Sequence, residues 1–140
     1  MPASRYGSFP TTADVGLWAR GSSASDLFSA LGVGLFALTT DLRRVRPRDQ
    51  RTVRASADDP PALVVAYLNE LIGLAQAEGF LGRKVLARTL GTPPTAVLAN
   101  VEGETFDPAR HTSRMEVKAA TFHDLEVDLR HYRARVIVDI

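Results

Sequence analysis

At 140 residues, with 45% hydrophobic and 24% charged residues, the chain suits one globular domain spanning 1–140 and excludes a disordered or fibrous protein. A net charge of +1 removes any global electrostatic case for nucleic acid, although arginine far outnumbers lysine. With no cysteine there are no disulfides, thiolate metal sites or cysteine nucleophiles.

The opening Met1-Pro2-Ala3-Ser4-Arg5 has no apolar leader, and no stretch is long and apolar enough to span a bilayer. The expected location is the cytoplasm, without a membrane partner. Tyr6 to Thr12 reads as a first strand that turns at Thr12-Ala13-Asp14, and Val15 to Gly21 resumes an extended run. Ser23 with Asp26 three residues on resembles a capping box with the shorter acid. Leu27, Leu31, Leu35 and Leu38 then recur at helical spacing, widened by Phe28 and Phe36. Gly32 and Gly34 each weaken that helix by about 1 kcal/mol relative to alanine, so close packing is expected to compensate.

An arginine-dense connection from Leu42 to Arg54 enters a strand near Thr52 to Ala57. The next helix is well bracketed: Asp59 suits the N-cap, Pro60 the first helical position and Gly79 the stop. Leu63, Tyr67, Leu71 and Leu74 line one of its faces, with Val64, Leu68 and Ile72 beside them. Phe80 to Leu90 and Ala96 to Glu102 read as strands split by Gly91-Thr92-Pro93-Pro94. Gly103 and Glu104, with Asp107, are read as turn-forming.

From Met115 to Leu129 the odd positions are mostly apolar and the even ones mostly charged, which predicts one half-buried strand. By that parity His123 points inward as a core histidine. The glycine-free turn near Arg130-His131 leads into a closing strand through Val136, Val138 and Ile140. Two helices with strands clustered late predict an α+β domain, with helices packed on an antiparallel or mixed sheet.

The chain ends Val136-Ile137-Val138-Asp139-Ile140, with Asp139 beside the free terminal carboxylate and no cation among these five residues. Like charges stacked at a strand end repel, and a hard divalent cation that gathers oxygen ligands would resolve the repulsion. Oxygen-only donors favour Ca²⁺, Mg²⁺ or Mn²⁺. Ile140 would offer main-chain oxygens only, its side chain being expected to pack. Asp14 has an ordinary alternative role as a turn residue accepting backbone N–H bonds.

Several segments, spread in order over nearly the whole chain, resemble the archease family. They are Thr12-Ala13-Asp14-Val15-Gly16, Gly21-Ser22-Ser23, Leu68-Asn69-Glu70-Leu71, Gly103-Glu104 with Asp107 and His111, Glu116-Val117-Lys118-Ala119-Ala120-Thr121-Phe122-His123, and the Asp139-Ile140 ending. The resemblance implies an archease-like sandwich. It also implies a non-catalytic protein cofactor of an RtcB-type RNA ligase, which joins 3′-phosphate or 2′,3′-cyclic phosphate ends to 5′-hydroxyl ends. The accessory protein speeds guanylylation of the ligase and sustains its turnover, in tRNA splicing or RNA repair. A divalent metal, calcium first among the candidates, is implied on Asp14, Asp139 and Ile140. The chain departs from the family pattern at Pro10-Thr11, where Glu-His is usual.

Partner contacts are expected at Glu116 and Lys118, read as neighbours on one strand face, and at Arg43, Arg44 and Arg46. Guanidinium forks there suit an acidic ligase surface or RNA phosphates. The protein is expected to be a monomer. Competing functions are a metal-dependent phosphohydrolase and a small RNA-binding module. The first lacks a phosphate cradle or metal–histidine motif, and the second is poor in aromatic stacking residues.

Overall fold

The helices form where local chemistry brackets them. In the computed structural model, which describes residues 4–140, α1 spans Ala24–Thr39 and the Ser23 hydroxyl accepts the Asp26 N–H at 3.1 Å. Met1, Pro2 and Ala3, part of the stretch read as leaderless, lie outside the described residues. Helix α2 spans Pro60–Glu78. Its Asp59 carboxylate accepts the Ala62 N–H at 2.8 Å, and Gly79 ends it in the left-handed region at φ 63°. No helix among the described residues is long and apolar enough to cross a membrane.

Eight strands among the described residues surround them: β1 (Tyr6–Pro10), β2 (Val15–Arg20), β3 (Asp49–Ser56), β4 (Phe80–Leu90), β5 (Ala96–Thr105), β6 (Ala119–Ala120), β7 (Glu126–Asp128) and β8 (Arg133–Asp139). Every described pairing is antiparallel. One sheet runs β1-β2-β8-β6 with β7 also paired to β8, and the other runs β3-β5-β4. Each helix touches both sheets: α1 meets β4 on one side and β1 and β2 on the other, while α2 meets β3 and β6.

Gly32 and Gly34 explain how α1 fits between them. A Cβ on Gly32 would lie 2.7 Å from the Tyr67 hydroxyl and 2.9 Å from Val85, whereas one on Gly34 would meet Leu17 and Tyr6. The two glycines therefore serve opposite faces of one buried helix, and close approach is the compensation their helix cost demanded. Phe28 and Tyr67 pack edge to face at 5.2 Å, and the Tyr67 hydroxyl donates to the Phe28 carbonyl at 2.9 Å. Complete burial pushes that phenol's pKa up. Helix α1 also shields a sheet edge: Ser29 and Ser25 accept the Ala87 and Thr89 N–H groups of β4, each at 2.9 Å.

The structure corrects several sequence expectations. Met115 to Leu129 is not one strand; only β6 and β7 pair, with Asp124 at φ 48° in the turn between them. The reason is the length of available edge, since β8 is seven residues long and cannot pair the whole stretch. Alternation survives at Leu125, Val127 and Leu129, which are half-buried between exposed neighbours, but breaks upstream, where Val117 and Ala120 are both buried. His123 points outward, 75% exposed, and pairs with Asp124 at 3.3 Å. Gly103 and Glu104 belong to β5 rather than to a turn, and β3 starts earlier than expected, at Asp49. The glycine-free turn before β8 is made by Tyr132 at φ 52°, with the Asp128 carboxylate accepting the Arg130 N–H at 2.9 Å.

Candidate functional site

The β2–β8 register brings the two predicted aspartates together. Val15 pairs with Val138 at the end of the ladder, and Asp14 and Asp139 each lie one residue beyond that pair. In an antiparallel ladder this step puts them opposite one another, on strands whose directly opposed Cα atoms are about 4.5–5.5 Å apart. Asp139 is the last residue of β8 and Asp14 the last residue of the bend that leads into β2, so their backbones are neighbours at this end of the ladder. Asp14 is half-buried and Asp139 exposed. The Asp14 N–H donates to the Thr11 hydroxyl at 3.0 Å, so Thr11, at a position where the sequence departs from the family pattern, closes the hairpin loop.

Asp139 is fixed from its other side as well. Ala119 of β6 pairs with it, and its carbonyl accepts the Lys118 N–H at 2.8 Å. Segment 118–120 is in turn held by α2. Asn69 accepts the Ala120 N–H at 2.9 Å, and Gln76 donates to the Lys118 carbonyl at 3.3 Å. The sequence assigned Asn69 no individual role; its place in the Leu68-Asn69-Glu70-Leu71 segment that carries the family resemblance was the available signal.

The ion pairs among the described residues include neither Asp14 nor Asp139. Lys118, adjacent to Asp139's ladder partner, does not neutralise it. Two neighbouring aspartates with no ion-pair partner among the described residues are the donor chemistry of a hard divalent ion, so the residues present fit one. Among the described residues no three His, Cys, Asp or Glu side chains converge on a metal position. A cation here would draw on two side chains, then main-chain oxygen, water or a partner's group.

The remaining predicted residues divide. Ile140 follows Asp139 directly, but its side chain is 43% exposed instead of packed. Glu116 and Lys118 are exposed and precede β6 rather than sharing a strand face, and no ion pair joins them. Arg43 and Arg44 lie on a single 3-10 turn, Leu42–Arg44, and Arg46 follows it. Leu42 and Val45 anchor this connection in the core while the three arginines face outward. Asp41 grips Arg43 through Nε at 3.0 Å and a terminal nitrogen at 2.9 Å, which holds the Asp41 carboxyl down at about 2.

A buried cluster beneath this connection was missed. Glu104, 5% exposed, accepts both terminal nitrogens of Arg110 at 3.1 and 2.6 Å and the Arg46 N–H at 2.7 Å. It also meets His111 Nε2 at 2.9 Å. His111 Nδ1 accepts the Asp107 N–H at 2.8 Å, so the ring proton belongs on Nε2 and is donated to Glu104. The Arg110 hydrogen bonds, opposed by burial and aided by Arg46 and His111, pull the Glu104 carboxyl down to about 2. Nothing periodic relates Glu104, Arg110 and His111; the hints were the close spacing of acid, arginine and histidine and the presence of Glu104, Asp107 and His111 in one segment of the family resemblance.

Comparison with known proteins gives a consistent outcome. The model of the archease protein family matches residues 6–140. A protein archease from Thermococcus gammatolerans is 35% identical over 89% of this chain and 88% of its own. An archease-like protein of Drosophila melanogaster is 31% identical over 100% of this chain and 93% of its own. The solution structure of protein 1598 from Methanobacterium thermoautotrophicum shares 28% identity at a TM-score of 0.84, covering 99% of this chain and 100% of that one. The crystal structure of an archease from Thermotoga maritima, described as a possible chaperone, shares the fold at a TM-score of 0.62 and 15% identity, covering 94% of each chain.

Proposed function

This chain belongs to the archease family, and from that membership and the neighbouring aspartates we propose that it is a metal-binding accessory protein that activates an RtcB-type RNA ligase. It promotes guanylylation of the ligase and repeated turnover in joining 3′-phosphate or 2′,3′-cyclic phosphate RNA ends to 5′-hydroxyl ends. Asp14, Asp139 and a main-chain oxygen of Ile140 hold the divalent cation. What supports this reading is the β2–β8 register, which sets the backbones of Asp14 and Asp139 beside each other, while neither joins an ion pair among the described residues. When bound, the cation supplies positive charge beside the nucleotide phosphates during transfer. The chain's own part is positional: Thr11 closes the loop behind Asp14, while Asn69 and Gln76 fix the segment that pairs with Asp139.

The test follows covalent GMP on the ligase in GTP and Mn²⁺. The parent protein is expected to stimulate labelling at substoichiometric amounts. Asp14→Asn should abolish stimulation while its circular dichroism and thermal unfolding stay near those of the parent. Undiminished stimulation by a folded Asp14→Asn protein would remove the metal from the mechanism. No stimulation by the parent would remove the ligase reading altogether.

A further inference from the structure

Arg43, Arg44, Arg46 and Arg110 line one open concavity of about 380 Å³. Its described wall consists of these four guanidinium-bearing residues alone, drawn from two chain segments far apart in sequence. Two of the four have an acidic partner, Asp41 for Arg43 and Glu104 for Arg110. Arg44 and Arg46 are exposed and belong to no ion pair among the described residues.

This is a built arrangement rather than a loose basic loop. The Thr40 hydroxyl donates to the Thr112 carbonyl at 2.7 Å, the Arg114 N–H to Thr39 at 2.9 Å and the Arg48 N–H to Gly103 at 3.1 Å. Buried Glu104 ties the Arg46 backbone to the Arg110 side chain. Both segments are thereby stitched together under the arginines, and the guanidinium groups of Arg43 and Arg110 are held in place by Asp41 and Glu104, which occupy two nitrogens of each and leave their other N–H groups for a ligand. Preorganisation lowers the ordering cost of binding.

We propose that this four-arginine concavity is a binding site for closely spaced phosphate groups of a single molecule. Guanidinium forks match phosphate oxygens two at a time, so phosphates could engage the unpaired forks of Arg44 and Arg46 and the remaining N–H groups of Arg43 and Arg110. The wall offers no apolar or aromatic surface on which a base could stack. Recognition is therefore of the phosphates, without sequence or base preference. Two sources carry that chemistry, the backbone of an RNA strand and a small polyphosphate such as a nucleoside triphosphate tail. The proposal does not rest on the ligase or the metal.

The test uses the full chain without metal. A fluorescent 20-nucleotide unstructured RNA is titrated at several salt concentrations, with inorganic tripolyphosphate and polyglutamate as competitors. The parent should bind with affinity falling steeply as salt rises, and tripolyphosphate should displace the RNA where polyglutamate of equal charge does not. The double variant Arg44→Ser/Arg46→Ser removes two side chains that make no described hydrogen bond or ion pair. It should flatten the log–log salt slope by about 1.4, roughly 0.7 per lost single-strand contact. Arg54→Ser/Arg88→Ser, on the outer face of the β3-β5-β4 sheet, should leave the slope unchanged. Tripolyphosphate binding without RNA binding assigns the site to small polyphosphates, and displacement of bound RNA assigns it to the backbone. A salt-independent parent, a double variant that binds like the parent, or polyglutamate competing as well as tripolyphosphate would each overturn the proposal. The last result would mark a docking surface for an acidic protein instead.

Discussion

Replacing Glu104 with glutamine isolates the contribution of one buried charge. Four donors converge on the carboxylate: two nitrogens of Arg110, the Arg46 N–H and His111 Nε2. Glutamine keeps the volume but offers one oxygen acceptor and turns an NH₂ group toward at least one of those donors. The magnitude follows from linkage. The carboxyl lies at about 2 in the folded protein against an ordinary 4.5. At about 1.4 kcal/mol per pH unit, that difference is worth about 3 kcal/mol. Arg110 retains 31% side-chain exposure, so water can recover part of the loss there. The expected cost is about 3 kcal/mol at pH 7, the low end for breaking a buried pair. For 140 residues the unfolding entropy is about 0.3 kcal/mol/K, so the midpoint should fall by about 10 °C. The sign of the pH dependence is fixed too. The folded value is depressed, so the unfolded state takes up the proton first. The stabilisation is complete above pH 4.5 and drains away toward pH 2. Urea unfolding of parent and Glu104→Gln at pH 7 and pH 2.5 measures both parts. A cost below about 1 kcal/mol at pH 7, or a gap that fails to narrow at pH 2.5, would refute the reasoning.

Two further substitutions test the fold and the candidate site. Asp139→Asn removes one of two neighbouring charges, so the metal-free protein should be as stable as the parent or slightly more so. The parent should gain about 2.7 kcal/mol, or about 9 °C, in Ca²⁺ at a hundred times its dissociation constant, and the variant should gain almost nothing. Equal calcium shifts in a calorimetric scan of the two proteins would place the cation elsewhere. Gly32→Ala opposes two effects: helix propensity alone favours alanine by about 1 kcal/mol, but the new Cβ would press on the Tyr67 hydroxyl and Val85. Overpacking of this kind costs about 1–3 kcal/mol, so a net loss of stability is expected, and a higher urea midpoint would show that α1 has room to shift.

The helices were legible because their signals are local. Ser23, Asp59, Pro60 and Gly79 act on backbone groups within a few residues, and each occupies its expected position. The helix glycines were legible as a demand for close packing, though not for two sheets on opposite sides. Strand pairing depends on partners that a local pattern does not contain. The Met115–Leu129 alternation correctly anticipated faces near Leu125 to Leu129, yet not where pairing ends, because β8 sets that limit. Glu104 was read as a turn residue for the same reason: its glycine neighbour suggests a turn, whereas pairing with β4 extends β5 through Thr105. Asp14 and Asp139 were singled out from the resemblance and from two adjacent carboxylates without a nearby cation in sequence, and no local pattern could show that the β2–β8 register makes their backbones neighbours.

The segment between β5 and β8 shows why a strand pattern was the natural reading and why it misleads. Few of its backbone groups join a ladder, yet many are satisfied. Arg114 and Met115 donate to Thr39 and Leu38 of α1, Lys118 donates to Asp139, and the Lys118 and Ala120 backbone is held by Gln76 and Asn69 of α2. A chain bonded in turn to two helices and a strand must keep changing direction, which an extended fifteen-residue strand cannot do. Its apolar residues consequently serve as separate anchors: Val117 and Ala120 are buried beside that polar stitching while Met115 and Phe122 remain exposed. The exposed charges that alternate with them lie outside any ladder, and this is how Glu116 and Lys118, expected on a common strand face, come to lie on a strap joining the arginine concavity to the aspartate pair.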